Sequence, residues 1–514
     1  MTMRAAIVGW FDNFPDTPAW CSRYLDDRWK QFAILLLTGL LFRTVTFGDP
    51  NLHVDEAFYF LVGQEMHHGA IPYVDIWDRK PFGLFLIYYL IAAISTSVVA
   101  YQIVSWLFAS CTAMVINLIA RRWAGTQGGL LAGVCYIALL GPLEGYGGQT
   151  PVFYNLFIAC AAMLVFDALP QLQRGIPTWR IFAAMMLGGL AITVKQTALF
   201  ESGFLGLVVV YYMVRSGVSA VRITLTIVAC ALLGALPTLT VAAGYWWIGH
   251  WDAWWQAMVT SNLRKIKPSP LIMILDAFRM ALRLYPFLGL AAVGMLATDR
   301  DAMSKRDKRL VGLWIAFGVL GVLSVPYFYT HYALPLLVPL AVASSLMLGR
   351  RDVGVFLAAM LLVFSMVLFS PFDRADRRLS IQTMNRMAKA IVHHDDGRGL
   401  LVYDGPPYLY ALAHKRPLTS LVFPHHMNHW IERNVTGFDT LREVHRVLAM
   451  KPNVVVAAAF PSNRPANGDT RRAVMAYVQN NCRIVDVDVS YEIGHSELIA
   501  IYGDCRDGAP DMEL

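Results

Sequence analysis

From residue 32 to residue 370 the chain is a succession of apolar runs joined by short polar stretches, and that pattern leaves few folds open. A helix of about 20 residues crosses the hydrocarbon of a bilayer. Within lipid every backbone amide must find its partner inside the segment, so the runs are predicted to be transmembrane helices. They fall at 32–41, 83–98, 101–119, 129–141, 152–169, 181–194, 198–214, 223–243, 286–298, 310–325, 333–348 and 353–370. Of the 514 residues, 56% are hydrophobic and 15% charged, against roughly 45 to 50% and about 25% in soluble domains. A soluble globular chain and a disordered one are both excluded. The net charge of +7 is not gathered into a basic stripe with interleaved aromatics, so the expected partner is the lipid bilayer and not a nucleic acid.

Basic residues set the predicted orientation, because short cytoplasmic loops collect Lys and Arg. Arg23, Arg28 and Lys30 precede the first run and no cleavage site follows, so an uncleaved first span with a cytoplasmic N-terminus is expected. The further clusters are Arg121/Arg122, Arg174 with Arg180, Arg215 with Arg222, the run 300–309, and Arg350/Arg351. All share one side if the stretch 81–98 lies at, or re-enters, the outer surface without crossing, which leaves about eleven spans. If that stretch does cross, Arg121/Arg122 move outside. The predicted fold is therefore mostly α, a polytopic membrane domain over 1–371. A soluble outward α/β domain follows over 372–514, where strands at 399–403, 453–459, 483–489 and 497–502 alternate with helices at 380–393, 437–449 and 469–480. Cys482 and Cys505 in that tail are a disulfide if it faces an oxidising compartment and free thiols otherwise. Cys111, Cys135, Cys160 and Cys230 lie in apolar runs and read as small hydrophobes.

This topology delivers the loop 48–80, the loop 142–150, Lys195 with Gln196, the loop 244–285, the turn 327–332 and the tail to the outer face. Asp55 and Glu56, with Tyr59 one turn on, open a helix just past the first span, where charge is costly near lipid. They complement the helix dipole if structural, but a second cluster, Asp78-Arg79-Lys80, follows in the same loop. Acids and bases closing together there bind a phosphate and a hydroxyl at once. Lys195 ends an apolar helix, as a phosphate ligand or as a stem that snorkels to the interface. Arg264-Lys265-Ile266-Lys267 breaks the one-sided charge pattern and reads either as an anion site or as a solvated amphipathic helix. Tyr327, Tyr329, His331 and Tyr332 crowd one junction, where they hydrogen-bond a substrate or anchor at the interface. His425, His426 and His429 are expected on a surface helix and not around a metal. No phosphate-cradling glycine loop and no GxSxG elbow occurs, so nucleotide hydrolysis and serine catalysis lack support.

The Asp55-Glu56 pair after the first span, Lys80-Pro81 opening the next apolar helix, Val194-Lys195-Gln196-Thr197, and Tyr329-Thr330-His331-Tyr332-Ala333-Leu334-Pro335 with Pro339 together resemble the GT-C glycosyltransferases. The nearest branch is the group around aminoarabinose transferases and protein O-mannosyltransferases, and the resemblance covers roughly 30–350. It implies transfer of a sugar from a polyprenyl-phosphate donor to a hydroxyl of a glycan, lipid or protein acceptor, by an inverting single displacement at the periplasmic face of a bacterial inner membrane. Asp55 is then the catalytic carboxylate and Glu56 shapes the site. Lys80, Arg79 and Lys195 take the donor phosphate, and Asp78, Tyr59, Glu144, Gln149, Gln196, Tyr329, His331, Tyr332, Arg264 and Lys265 line the substrates. Relatives commonly carry a second acid near the outer start of the fourth span; here only Glu144 is acidic nearby, so no metal and no cofactor is expected. Two rivals stay open: a transporter or flippase of lipid-linked sugars, which needs internal repeats the sequence does not display, and a lipid-binding subunit whose tail recruits a partner.

Overall fold

A computed structural model describes residues 26–297, 302–325, 327–463 and 465–506. Arg23 and Arg300 lie outside them. The chain divides into two compact units: residues up to 44 with 103–241 and 268–372, and residues 45–102 with 242–267 and 373 onward.

The first unit is a helical bundle. Among the described residues seven helices are long and apolar enough to cross a membrane: Val98–Leu143, Thr150–Leu172, Ala198–Arg215, Ala220–Trp247, Pro270–Ala297, Thr330–Leu348 and Asp352–Phe369. Arg28–Arg43, Trp179–Val194 and Lys305–Leu323 are further helices of the bundle. Val98–Leu140 is broken at Gly125, whose φ of 64° lies where glycine alone is at ease. Its two arms then pack closely. A Cβ at Gly129 would meet Asn117 Oδ1 at 2.4 Å, and one at Gly133 would meet the Ala113 carbonyl at 2.9 Å. Such small-residue seams are what let helices approach without a hydrophobic drive.

Polar contacts tie the helices of this bundle together. At one end Arg122 pairs with Asp167 at 2.8 Å, Arg180 donates to the Asp167 carbonyl, Trp123 donates to Asp307, and Arg350 donates to the Ala297 carbonyl. Four of the five basic clusters read from the sequence are thereby tied to one end. Elsewhere in the bundle Arg43, almost fully buried, donates to the carbonyls of Gly145, Tyr146 and Gly147 at 2.6, 3.0 and 3.2 Å. A buried guanidinium is expensive unless every donor is used; here it pins the loop that carries Glu144.

The second unit carries a four-stranded sheet of order β1-β2-β4-β3, with β1 Leu400–Val402, β2 Val454–Ala458, β3 Arg483–Glu492 and β4 His495–Gly503. β1 and β2 run parallel, and β2–β4 and β3–β4 antiparallel, with an irregularity between Ile484 and Asp486. The helices Ala375–His394, Thr440–Ala449 and Gly468–Asn481 complete the α/β tail. Its all-apolar central strand, Val454-Val455-Val456-Ala457-Ala458, is buried throughout, as expected for a strand covered on both faces. Cys482 and Cys505 form a disulfide.

Residues 45–102 fold with this tail. Trp77 joins its core beside Leu401, Tyr403, Leu421 and Met427, and the Trp77 amide donates to the Ser420 carbonyl at 2.8 Å. Buried Asp49 accepts from Arg377 at 2.9 Å and from Ser380 at 2.8 Å. Val54–His67 packs against the short helix Phe82–Ile94 so tightly that a Cβ at Gly63 would lie 2.6 Å from the Tyr88 backbone. Phe82–Ile94, the stretch read as not crossing, has 13 residues and belongs to the unit that contains the tail.

Candidate functional site

Val54–His67 begins where His53, in extended conformation, accepts the Asp55 amide on Nδ1 at 3.2 Å. Asp55 is half-buried and Glu56 fully buried. Asp55 and Tyr59 are four residues apart and so share one helix face. The Lys80 ammonium sits 5.4 Å from the Tyr59 ring centroid. The Lys80 ammonium thus stands against Tyr59, one helical turn beyond Asp55.

Lys80 is fixed by its neighbours. Its amide donates to Asp78 Oδ1 at 2.7 Å, and its carbonyl accepts the Tyr73 hydroxyl at 2.9 Å. Among the described residues no carboxylate lies within ion-pair range of the Lys80 ammonium. Arg79 and Lys265 are different. Arg79 forks onto Glu432, with Nη1 3.0 Å from Oε1 and Nη2 on Oε2, and Lys265 Nζ lies 3.2 Å from Glu432 Oε1. His426 stands between acids, Nε2 3.6 Å from Asp78 and Nδ1 4.0 Å from Glu432, with Trp77 edge-on at 4.6 Å.

The electrostatics follow from burial and company. Burial alone raises the Glu432 carboxyl, but Arg79, Lys265 and His426 outweigh it and hold it well below the usual carboxylate range. Burial lowers Lys265 to about 8; Arg79 and Lys80 add repulsion, and Glu432 opposes both. Burial likewise lowers His425 to about 4, helped by His429 and opposed by Asp55. His425 is therefore a neutral imidazole near pH 7, close enough to Asp55 to feel its charge.

Two expectations change here. The histidines do not sit on a surface helix: His426 and His429 are buried and His425 is half-buried, because the four-residue helix His425–Asn428 packs into the core through Met427. Nor is 264–267 a solvated helix. The helix Ser261–Arg264 stops, Lys265 turns extended and inward, and Arg264 and Lys267 stay exposed. Glu432 was not singled out as a site residue by the sequence reading. The signal available was the unexplained basic run, which demanded an anion.

The other candidates belong to the first unit. Glu144, at a left-handed φ of 63°, accepts from or pairs with His331 Nδ1 at 3.0 Å and lies 3.6 Å from Arg283. Lys195 Nζ stands 4.2 Å from the Tyr332 ring centroid, and Tyr329 stacks on His331. Lys195 terminates Trp179–Val194 in an extended conformation, so its charge is held at a helix break. Gln149 is buried, and Gln196 is exposed.

No protein-family model and no curated protein matches the sequence. Solved structures do. ArnT from Cupriavidus metallidurans in the apo state aligns with a TM-score of 0.57 at 12% identity, over 91% of this chain and 97% of that one. The same protein bound to undecaprenyl phosphate aligns at 0.52 and 14%, over the same shares. At such identity the likeness is one of fold: this chain is a polytopic membrane protein that shares the fold of ArnT and bears a small α/β domain in its C-terminal part.

Proposed function

We propose that the chain is a membrane glycosyltransferase that moves a sugar from a polyprenyl-phosphate donor to an acceptor hydroxyl at the outer face of a bacterial inner membrane. The observation that carries this reading is the Lys80 ammonium above Tyr59, one helical turn from Asp55. In the reaction the acceptor oxygen attacks the anomeric carbon, the bond from that carbon to the phosphate oxygen breaks, and polyprenyl phosphate departs on the opposite side with its electron pair. Asp55 takes the acceptor proton. Lys80 meets the charge that grows on the leaving phosphate, and among the described residues no carboxylate within ion-pair range competes for its ammonium. Arg79 and Lys265 add positive potential around it while Glu432 holds them in place.

The fold supports the donor class. The ArnT with this architecture was crystallised bound to undecaprenyl phosphate. Orientation is supported twice: four of the five basic clusters are tied to one end of the bundle, as cytoplasmic loops are, and the tail holds a disulfide, which persists in an oxidising compartment. About eleven spans, with the N-terminus cytoplasmic and the tail periplasmic, accommodate both. Lys195 with Tyr332, and Glu144 with His331, are further substrate contacts of the bundle under the same reading.

The test is incubation of the purified full chain with a panel of polyprenyl-phosphate sugars and candidate acceptors, read by mass. A product heavier than the acceptor by one sugar residue, with release of polyprenyl phosphate, is the expected result. Movement of intact donor across vesicles without product would replace the reading with a flippase.

A further inference from the structure

A cavity of about 230 Å³ lies in the second unit, lined among others by Asp404, His425, Asn428, Asn463, Glu492 and Glu497. The function proposed above uses none of these directly. We propose that this cavity is the acceptor subsite and takes one sugar residue presenting hydroxyl or amino groups and no phosphate. The inference rests on the transferase reading and deepens it.

The wall is built for hydrogen bonding. Asp404 is almost fully buried and held by Asn428 at 2.7 Å, by the Ser462 hydroxyl, and by Arg471 behind it at 3.6 Å. Asn463 in turn donates to Asn428 at 2.8 Å. Carboxylates and amides in such a chain receive hydroxyl protons and return amide protons, which is the chemistry a sugar needs. Among the described residues three carboxylates and two imidazoles, His425 and His495, line the space and no Lys or Arg does, with His495 Nε2 2.5 Å from Glu497 Oε1. Burial pushes the Asp404 carboxyl up to about 6, and the charge of Glu497 adds to the rise while Ser462 and Arg471 oppose it. The excess of carboxylates over cations in this described lining favours an amine over a phosphate. The phosphate-binding charges, Arg79, Lys80 and Lys265, line none of it.

Size and position agree. The volume falls below the roughly 300 to 1,000 Å³ of sites for drug-sized ligands, which suits one ring and not a chain of them. Val54 also lines the cavity, so the space reaches the residue before Asp55 at the start of its helix. A hydroxyl leaving the cavity toward that turn meets the proposed base.

The experiment is ligand-detected NMR on the purified full chain with glucosamine, glucose and glucose 6-phosphate, each at millimolar concentration. Glucosamine is expected to bind several-fold more tightly than glucose, with no signal from glucose 6-phosphate. Asn463→Trp, which fills the space, abolishes binding, its folding being checked by thermal midpoint. The double variant Glu492→Gln/Glu497→Gln brings glucosamine down to the level of glucose. Absence of all sugar binding, preferential binding of the phosphate ester, or unchanged binding in a folded Asn463→Trp overturns the proposal. The two readings fail separately: sugar bound in the cavity by a protein that transfers nothing removes the transferase, whereas transfer with an unaltered acceptor KM in Asn463→Trp removes the subsite.

Discussion

Lys265 and Glu432 show how charge decides the chemistry of single residues in this protein. The Lys265 ammonium, lowered to about 8 by burial and by its cationic neighbours, is charged at pH 7 and loses its proton as pH rises through 8. Donor affinity is therefore predicted to fall across that range, seen as a rise in donor KM between pH 7 and 9, and Lys265→Arg is predicted to flatten the rise. The stability effect has the opposite sign. Between about 8 and the ordinary lysine value the unfolded chain binds the extra proton, so folding gains with pH and unfolding does not mimic the loss of affinity. A flat donor KM profile in the wild type would exclude Lys265 from the phosphate site. Asp55, Arg79 and Lys80 stand out in the sequence because charge is scarce in such a chain. The pairing of Glu432 with Arg79 was not legible there, because 353 residues separate them and nothing local distinguishes Glu432 from a solvated acid. His425 and His426 look like surface residues until Met427, between them and His429, is seen to anchor the turn in the core.

At the level of elements, the site depends on how closely two helices approach. Gly63 faces the Tyr88 backbone across the contact between Val54–His67 and Phe82–Ile94, and these helices carry Asp55 and follow Lys80 directly. Gly63→Ala forces them apart at a cost of about 1–3 kcal/mol. A lowered thermal midpoint and a marked loss of transfer are expected, both measured in detergent. Gly203→Ala, whose Cβ meets nothing within 4 Å, is the matched control and is predicted to leave both unchanged. An unaffected Gly63→Ala would mean the helix contact does not set the site. The tail's strands and helices were legible because alternation and period are local signals; the apolar runs were legible for the same reason. The division of labour was not, because the assignment of 45–102 to the unit of the tail is made by long-range contacts such as Trp77 with Leu421 and Asp49 with Arg377.

For the whole molecule the central matter is sidedness. Reporter fusions after residues 122 and 370 are predicted to report cytoplasm at the first and periplasm at the second; the reverse at either overturns the topology. The disulfide of Cys482 and Cys505 closes a loop of sequence separation 23, for which chain entropy stabilises by roughly 3 kcal/mol. Replacing both with Ser is predicted to lower the thermal midpoint without moving the donor KM, because neither cysteine touches Arg79, Lys80 or Lys265. Transfer by the proposed mechanism depends on Asp55 acting as the base opposite a departing lipid phosphate. The most direct measurement is the sugar-transfer rate of Asp55→Asn in membranes, with undecaprenyl phosphate binding followed alongside. A fall of roughly 10² to 10⁴ fold in transfer with lipid binding retained is the predicted result; transfer at the wild-type rate would contradict the mechanism.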